Sequence, residues 1–433
     1  MKGRESREGR KDRENREDRK GREDRDSRKE REDRKSRVER EGREDRTECN
    51  MTFGILSGLA IVMVVAGHLG YNILTVGDLF PYYSFHVPLF LFISGYFYRK
   101  GEQERPLAYI VKKAKRLLLP YFVWNVVYGL LAWLLRVNGF AMGEEISPVT
   151  LFVAPFMHGY QFIYNYAAWF VPVLFVIEMM NLFMRLAGDR MSGIIARIGG
   201  RTHAPDEQRW ERNWEWVYLA GSLAVGMIVV YLAIGGHVWG NYKAPGRILF
   251  LYPCFQMGQF YKKNLERHDG VKNLPYFAVV LSVQTALHVL CNGLAFSSVW
   301  CTGFANGPLI PYVTIVTGIA FWLRIARILS CLAGTGGEVR WFGRHTFTVM
   351  MHHVMVFMLI KMILAGIAAG TGALADFDFG QFYSNIDYIY LVNGAEHFKM
   401  VYLAAGVGLP LGLRCLAERV RKAGTEKSCE GKT

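Results

Sequence analysis

Three histidines stand out among those in long apolar runs: His68 in MTFGILSGLAIVMVVAGHLG, His86 in PYYSFHVPLFLFISGYFYRK and His353 in TFTVMMHHVMVFMLIK. Histidine is costly in hydrocarbon, so each marks a candidate site. An imidazole exchanges its proton near neutral pH, which suits a general base or a nucleophile. Two further ionisable positions stand out: Glu178, within AAWFVPVLFVIEMM, and Arg116, which closes the basic run Lys112, Lys113, Lys115 before LLLPY. Each has a packing alternative. A membrane histidine also locks helices by bonding a neighbouring carbonyl. Glu178 also suits pairing with a buried cation, and Arg116 also suits snorkelling to headgroups. A metal is not expected. The apolar runs offer no His-x-x-x-His pair and few carboxylates, and the adjacent His352 and His353 would point about 100° apart on a helix.

The elements that must position these residues are membrane spans. Half of the 433 residues are hydrophobic and 14% are aromatic, and apolar runs of spanning length recur from residue 51 onward. We read ten spans, at about 52–71, 81–98, 119–137, 167–187, 214–234, 247–261, 274–291, 308–330, 346–366 and 398–418. The fold class is therefore all-α, a polytopic transmembrane helical bundle. Residues 1–48 form a separate low-complexity tail of Arg-Glu-Asp-Arg variants with nothing to bury, a disordered or single-helix segment. Residues 49–418 form the membrane domain, and 419–433 a basic tail. No apolar h-region precedes residue 51, so no signal peptide is expected, and Met51 is an alternative start.

Charge fixes the expected orientation. The net charge is +14, but residues 1–48 hold 20 Lys plus Arg against 17 Asp plus Glu, and most of the excess sits in short clusters between apolar runs. That distribution argues for membrane topology and against a nucleic-acid partner. Loops 99–116, 188–213, 262–273 and 331–345 and the tail after 418 are basic and alternate with loops poor in Lys and Arg. Ten spans place all five basic segments on one side, with both termini in the cytosol. The seven cysteines (49, 254, 291, 301, 331, 415 and 429) show no metal or redox spacing and read as small buried hydrophobes. The outer loop 367–397, with Asp376, Asp378 and Asp387 among aromatics, suits stacking on sugars.

Helical rise then gives depths. His68 lies 16 residues beyond Thr52, roughly 24 Å along a helix and so in the outer part of a bilayer core about 30 Å thick. His86 sits roughly 8 Å below the outer edge of the second span, and His353 about 10 Å into the ninth, near mid-membrane. A short loop joins the first two spans, so they should be antiparallel neighbours with His68 and His86 at similar depth. Arg116, Glu178 and His353 would complete a polar column from the cytosolic edge outward.

The segments LSGLAIVMVVAGH, FHVPLFLFISGYFYRK and KKAKRLLLPYFVWN, in that order, resemble the opening of the acyltransferase family 3 integral membrane proteins, most closely the fucose and polysaccharide O-acetyltransferase branch. AAWFVPVLF resembles the family's Trp-Phe-x-Pro segment, and FGRHTFTVMMHH its late Gly-(Lys/Arg)-Asn-Ser-Leu…His segment, which places that histidine on His353. The resemblance covers about residues 51–418. It implies a ten-helix fold, an acyl-CoA donor, usually acetyl-CoA, taken from the cytosol, and a hydroxyl acceptor on a cell-surface or lipid-linked glycan. It implies a multi-pass protein of the plasma membrane, with His68 catalytic and His86, Arg116 and His353 on motif positions of less settled role. Many members carry Arg or Lys eleven residues before the catalytic histidine, where this chain has Ser57. That departure implies either that the task of binding the donor moves to Arg116 or Lys115, or that the chain is a family member with weakened donor binding or altered activity.

Acyl transfer suits these residues on chemical grounds. Moving an acyl group from thioester to hydroxyl needs a base for the hydroxyl proton or a nucleophile that carries the group. Cations at the cytosolic mouth suit the phosphates of CoA. The alternative is a polytopic lipid or glycan transporter or flippase that uses the same polar column as a pathway. It would show paired repeats and broken helices, which the sequence does not display. A third reading is a non-catalytic scaffold whose charged N-terminal arm recruits partners; deleting residues 2–48 separates it from the enzyme.

Overall fold

A computed structural model of the chain describes residues 51–70, 76, 79–157, 162–198, 207–291, 293–333, 337–384 and 389–430. The charged tail 1–48 and Asp387 lie outside the described residues. Among those residues the chain is helical, with one isolated antiparallel bridge between Ser297 and Thr302. Each of the ten apolar runs forms a helix. We number them α1 (Met51–His68), α2 (His86–Tyr96), α3 (Pro106–Val137), α4 (Phe170–Ile198), α5 (Glu207–Ile234), α6 (Lys243–Phe260), α7 (Asn273–Leu290), α8 (Ile310–Ala333), α9 (Thr346–Thr371) and α10 (Lys399–Glu430).

Eight of the ten are long and apolar enough to cross a membrane; α2 and α6 are not. The second span is thus shorter than expected, an eleven-residue helix preceded by a 3-10 turn at Tyr82–Ser84. The exceptions have a physical reason. Helices α2 and α6 pack on each other at the centre, and α6 is buried along nearly its whole length. A helix that faces protein rather than lipid need not be apolar, provided its polar groups find partners. The contact is backbone to backbone. A Cβ on Gly95 would lie 1.9 Å from the Phe255 carbonyl oxygen, and one on Gly258 would lie 2.0 Å from that of Phe92. Only glycine permits this approach.

Several helices exceed their expected bounds. The basic run before the third span is part of α3, where a π turn at Ala114–Leu118 carries Lys115 and Arg116 just ahead of Pro120. A proline has no N–H for the preceding turn, and the wider π turn accommodates the lost bond while rotating the residues before it. Helix α4 runs on to Ile198 and α10 continues past residue 418 to Glu430.

Segment 331–345 is not simply a loop. Gly337–Arg344 forms a short helix seated on the start of α1. Its seat is the Gly54-x-x-x-Gly58 step. Gly343 approaches the Gly54 backbone so closely that a Cβ there would lie 2.4 Å from the Gly54 oxygen, and a Cβ on Gly58 would lie 2.7 Å from the Phe342 ring. Small residues four apart make such a groove between helices. Because this short helix occupies the first turns beside α1, α9 begins deeper, after a break at His345.

Three helices are joined by a knot of polar side chains. Arg185 of α4 donates through both terminal nitrogens to Glu215 of α5, one of them at 2.7 Å, and also to Gln256 of α6 at 3.2 Å. Asn181 accepts from Gln256 at 2.9 Å and from Gln259 at 2.8 Å, while Lys263 donates to Glu215 at 2.6 Å. The aromatic residues of segment 367–397 are largely packed rather than displayed: Phe377, Phe382 and Tyr390 are buried together against α3 and α9, and Phe379 and Tyr383 remain exposed.

Candidate functional site

The C-terminal end of α1 and the second to third turn of α9 meet at two histidines. His68 Nδ1 lies 2.6 Å from His353 Nε2, and the rings are nearly parallel at 4.9 Å between centroids. The depths estimated from helical rise alone, outer for His68 and central for His353, thus converge on one level, because α9 starts beyond the short helix Gly337–Arg344. His353 is fully buried, and its Nδ1 lies 2.8 Å from the Val349 carbonyl. A carbonyl only accepts, so His353 Nδ1 carries the proton and its Nε2 is the bare nitrogen of a neutral ring. His68 must then donate from Nδ1, which leaves His68 Nε2 as the nitrogen with a free lone pair. His68 is half-buried, and this nitrogen has no hydrogen bond among the described residues. The chain Val349–His353–His68 thereby fixes a tautomer and a direction for a base, the task of the orienting third group in a hydrolase triad.

His86 is not the partner of His68 in this pair. It is buried on the first turn of α2, with its ring edge-on to Tyr83 at 5.8 Å. Tyr83 in turn donates to the Gly67 carbonyl at 2.5 Å, so α2 braces the end of α1 beside the histidine pair. Tyr166, from the 3-10 segment Ile163–Trp169, lies against the His68 ring at 4.8 Å.

Beside the pair, reaching His352 on α9 and Ile61 on α1, a cavity of about 1350 Å³ is walled by α1, α2, α3, α4, α9, α10 and the short helix Gly337–Arg344. Its upper wall carries His352, Trp124 and Tyr128. Tyr128 Oη lies 2.7 Å from His352 Nδ1, and Trp124 packs edge-on against the same ring at 4.3 Å. The His352–His353 doublet, unpromising as a metal site, therefore serves two faces of α9: His352 meets the cavity and His353 meets His68. His68 and His353 are not among the cavity's lining residues.

The other end of the cavity is cationic. Arg99, Lys112, Lys113, Arg116, Arg340, Arg344 and Arg414 line it, with Glu102 and Glu178 as the acids. Lys113 donates to Glu178 at 2.6 Å, and Tyr109 adds a longer bond at 3.4 Å; Lys112 donates to Glu102 at 2.7 Å and Arg414 to Glu418 at 2.9 Å. Among the described residues, Arg99, Arg116, Arg340 and Arg344 form no ion pair, and Arg340 Nε is buried without a hydrogen-bond partner. Arg116 thus faces the cavity, whereas Lys115 is exposed and is not part of its wall. Lys112 and Lys113 of the basic run line the mouth as well, and Arg99, Arg340, Arg344 and Arg414 are the cations that the sequence reading did not choose for it. Arg340 and Arg344 lie on the short helix Gly337–Arg344, outside the basic run, and the facing of the run itself depended on the π turn. Ser57 lines the cavity as well, and its hydroxyl donates to the Phe53 carbonyl at 2.8 Å, so no charge stands at that position. No metal-binding cluster of His, Cys, Asp or Glu occurs among the described residues.

The family model described as an acyltransferase domain matches residues 55–408. The chain belongs to acyltransferase family 3. That match spans the histidine pair, most of the cavity wall, helices α2 to α9 and parts of α1 and α10, and it makes this multi-pass protein a membrane acyltransferase. No curated protein and no solved structure matches the chain.

Proposed function

We propose that this acyltransferase moves an acetyl or similarly short acyl group from acyl-CoA to a hydroxyl of a cell-surface or lipid-linked glycan, in the plasma membrane. The observation that carries the reading is the hydrogen-bonded chain that leaves His68 Nε2 bare, near a cavity that reaches His352 and whose mouth holds Arg99, Arg116, Arg340 and Arg344, unpaired among the described residues. The arginines at that mouth suit the CoA phosphates, which bind best to rigid, unpaired guanidinium groups. The acyl arm would then extend along the cavity toward His352, Tyr128 and Trp124. The positive-inside rule puts this end of the bundle in the cytosol, with both termini.

In the reaction, His68 Nε2 takes the proton of the acceptor hydroxyl while its oxygen attacks the thioester carbonyl carbon. The new C–O bond forms, the C–S bond breaks, and the proton leaves with the CoA thiol. His353 holds the imidazolium that forms, by accepting from His68 Nδ1. His353 and His86 are positioning residues in this scheme, and His68 is the catalytic one.

Mass analysis of surface glycans from cells with and without the protein tests the reaction class. The expected outcome is a mass deficit of one acyl group per modified sugar in its absence. Identical glycan masses, together with protein-dependent movement of a glycan or lipid across the bilayer and no consumption of acyl-CoA, would support the transporter reading instead.

A further inference from the structure

At the end of the bundle away from the cationic mouth, α6 begins with two buried cations. Lys243 and Arg247 are 4% and 1% exposed. They are four residues apart, so they share a helix face, where like charges repel. Nothing acidic answers them among the described residues. Arg247 donates one bond, from Nη1 to the Val299 carbonyl at 3.2 Å, while its Nε and Nη2 are buried without partners. Lys243 Nζ lies over the rings of Trp300 at 3.7 Å and Trp239 at 4.7 Å. The hydroxyl of Ser298, beside the carbonyl that Arg247 binds, is also buried and unpartnered. Cys301 adds no negative charge: burial pushes its thiol up to about 12, so it stays protonated.

The other buried arginines are compensated. Arg185 faces Glu215, and Arg324 faces Asp269. An uncompensated pair of charges out of water is strongly unfavourable, by far more than a lost hydrogen bond. Two cations, an unpartnered hydroxyl and open guanidinium donors together have the valences of an oxyanion site.

Its position gives the site a role. The Arg247 guanidinium stacks on the Trp169 ring at 4.5 Å. Trp169 closes the 3-10 segment whose Tyr166 lies on His68. One turn of that segment, about 6 Å of rise, separates the two contacts. We propose that Lys243, Arg247 and Ser298 bind an anionic oxygen group of the acceptor, a phosphate or carboxylate, and so hold the acceptor beside His68. This rests on the acyl-transfer reading for the acceptor's identity, but the anion site itself does not.

The test is ligand-induced thermal stabilisation of the purified full chain in detergent, at constant ionic strength, compared between wild type and Arg247→Gln. The probes are inorganic phosphate, glucuronate and a short-chain phosphatidate. Any phosphate bound at the cationic mouth is common to both proteins and cancels. The expected result is an apparent affinity at least about tenfold weaker in Arg247→Gln for one or more probes, from the loss of charge-assisted bonds. Dependence on phosphatidate alone assigns the anion to a lipid carrier, and dependence on glucuronate assigns it to an acidic sugar. Equal affinities in the two proteins for all three probes would overturn the site. Should Arg247→Gln not fold, Lys243→Gln carries the same comparison. CoA-induced stabilisation, measured alongside, separates the two proposals: its absence with an Arg247-dependent anion response sinks the donor reading and leaves the anion site standing.

Discussion

The polar knot of α4, α5 and α6 and the histidine pair of α1 and α9 both lie among apolar helices, yet they differ in how their valences are closed. In the knot, Arg185, Glu215, Gln256 and Gln259 bond one another or Asn181, and Lys263 closes on the same carboxylate, so that every charge is paired and only the neutral Asn181 Nδ2 is left without a partner among the described residues. In the pair, His353 is closed on both sides, but His68 keeps one ring nitrogen bare. An ionisable ring within a membrane domain that keeps an accessible lone pair is a candidate for function, whereas the knot pairs each of its charges. The knot shows what polar groups look like when their task is to hold helices together. The contrast predicts that substitutions will divide by region, with activity lost at the pair and stability lost at the knot.

The largest expected effect is at His68. His68→Gln removes the base and keeps the bulk, so acyl transfer in proteoliposomes should fall about 10³-fold, while the thermal midpoint stays near wild type. Next is Glu215→Gln, which leaves Arg185 buried with a neutral partner. It should lower unfolding stability by about 3 kcal/mol or more, read as a depressed thermal midpoint, with the rate per folded molecule little altered. His353→Gln should slow turnover about 10²-fold with KM for the donor nearly unchanged, because the His68 ring remains but loses its fixed tautomer. Tyr128→Phe frees the His352 ring and should cost about tenfold or less in rate. The smallest effect belongs to Arg344→Gln. One charge-assisted contact at the mouth should raise the KM for acyl-CoA about tenfold or less and leave kcat alone. A stability loss at His68 or an activity loss confined to Glu215 would break the division between the two regions.

Much of this architecture is legible in the sequence. The ten apolar runs are ten helices, and His68 closes the first of them. What escaped is relative placement between distant segments. Helical rise gives a depth within each helix but not the level at which that helix starts, so the short helix on Gly54 and Gly58 could shift α9 and bring His353 to His68 instead of leaving His86 there. The Gly-x-x-x-Gly step was the available signal. The same holds for the cations: a π turn before Pro120 decides that Arg116 faces the cavity and Lys115 does not. Arg247 escaped because nothing in its local sequence says that no acid will meet it. That is a property of the packed helices alone.

The central claim is that His68 and His353 act as one unit, with His353 working through the His68 ring. Acyl transfer from acyl-CoA in proteoliposomes, measured for His68→Gln, His353→Gln and the double variant, tests it directly. If the pair is a unit, the double variant is no slower than His68→Gln alone, since His353 has no ring left to orient. If the two losses multiply, His353 has a separate task and the relay is wrong.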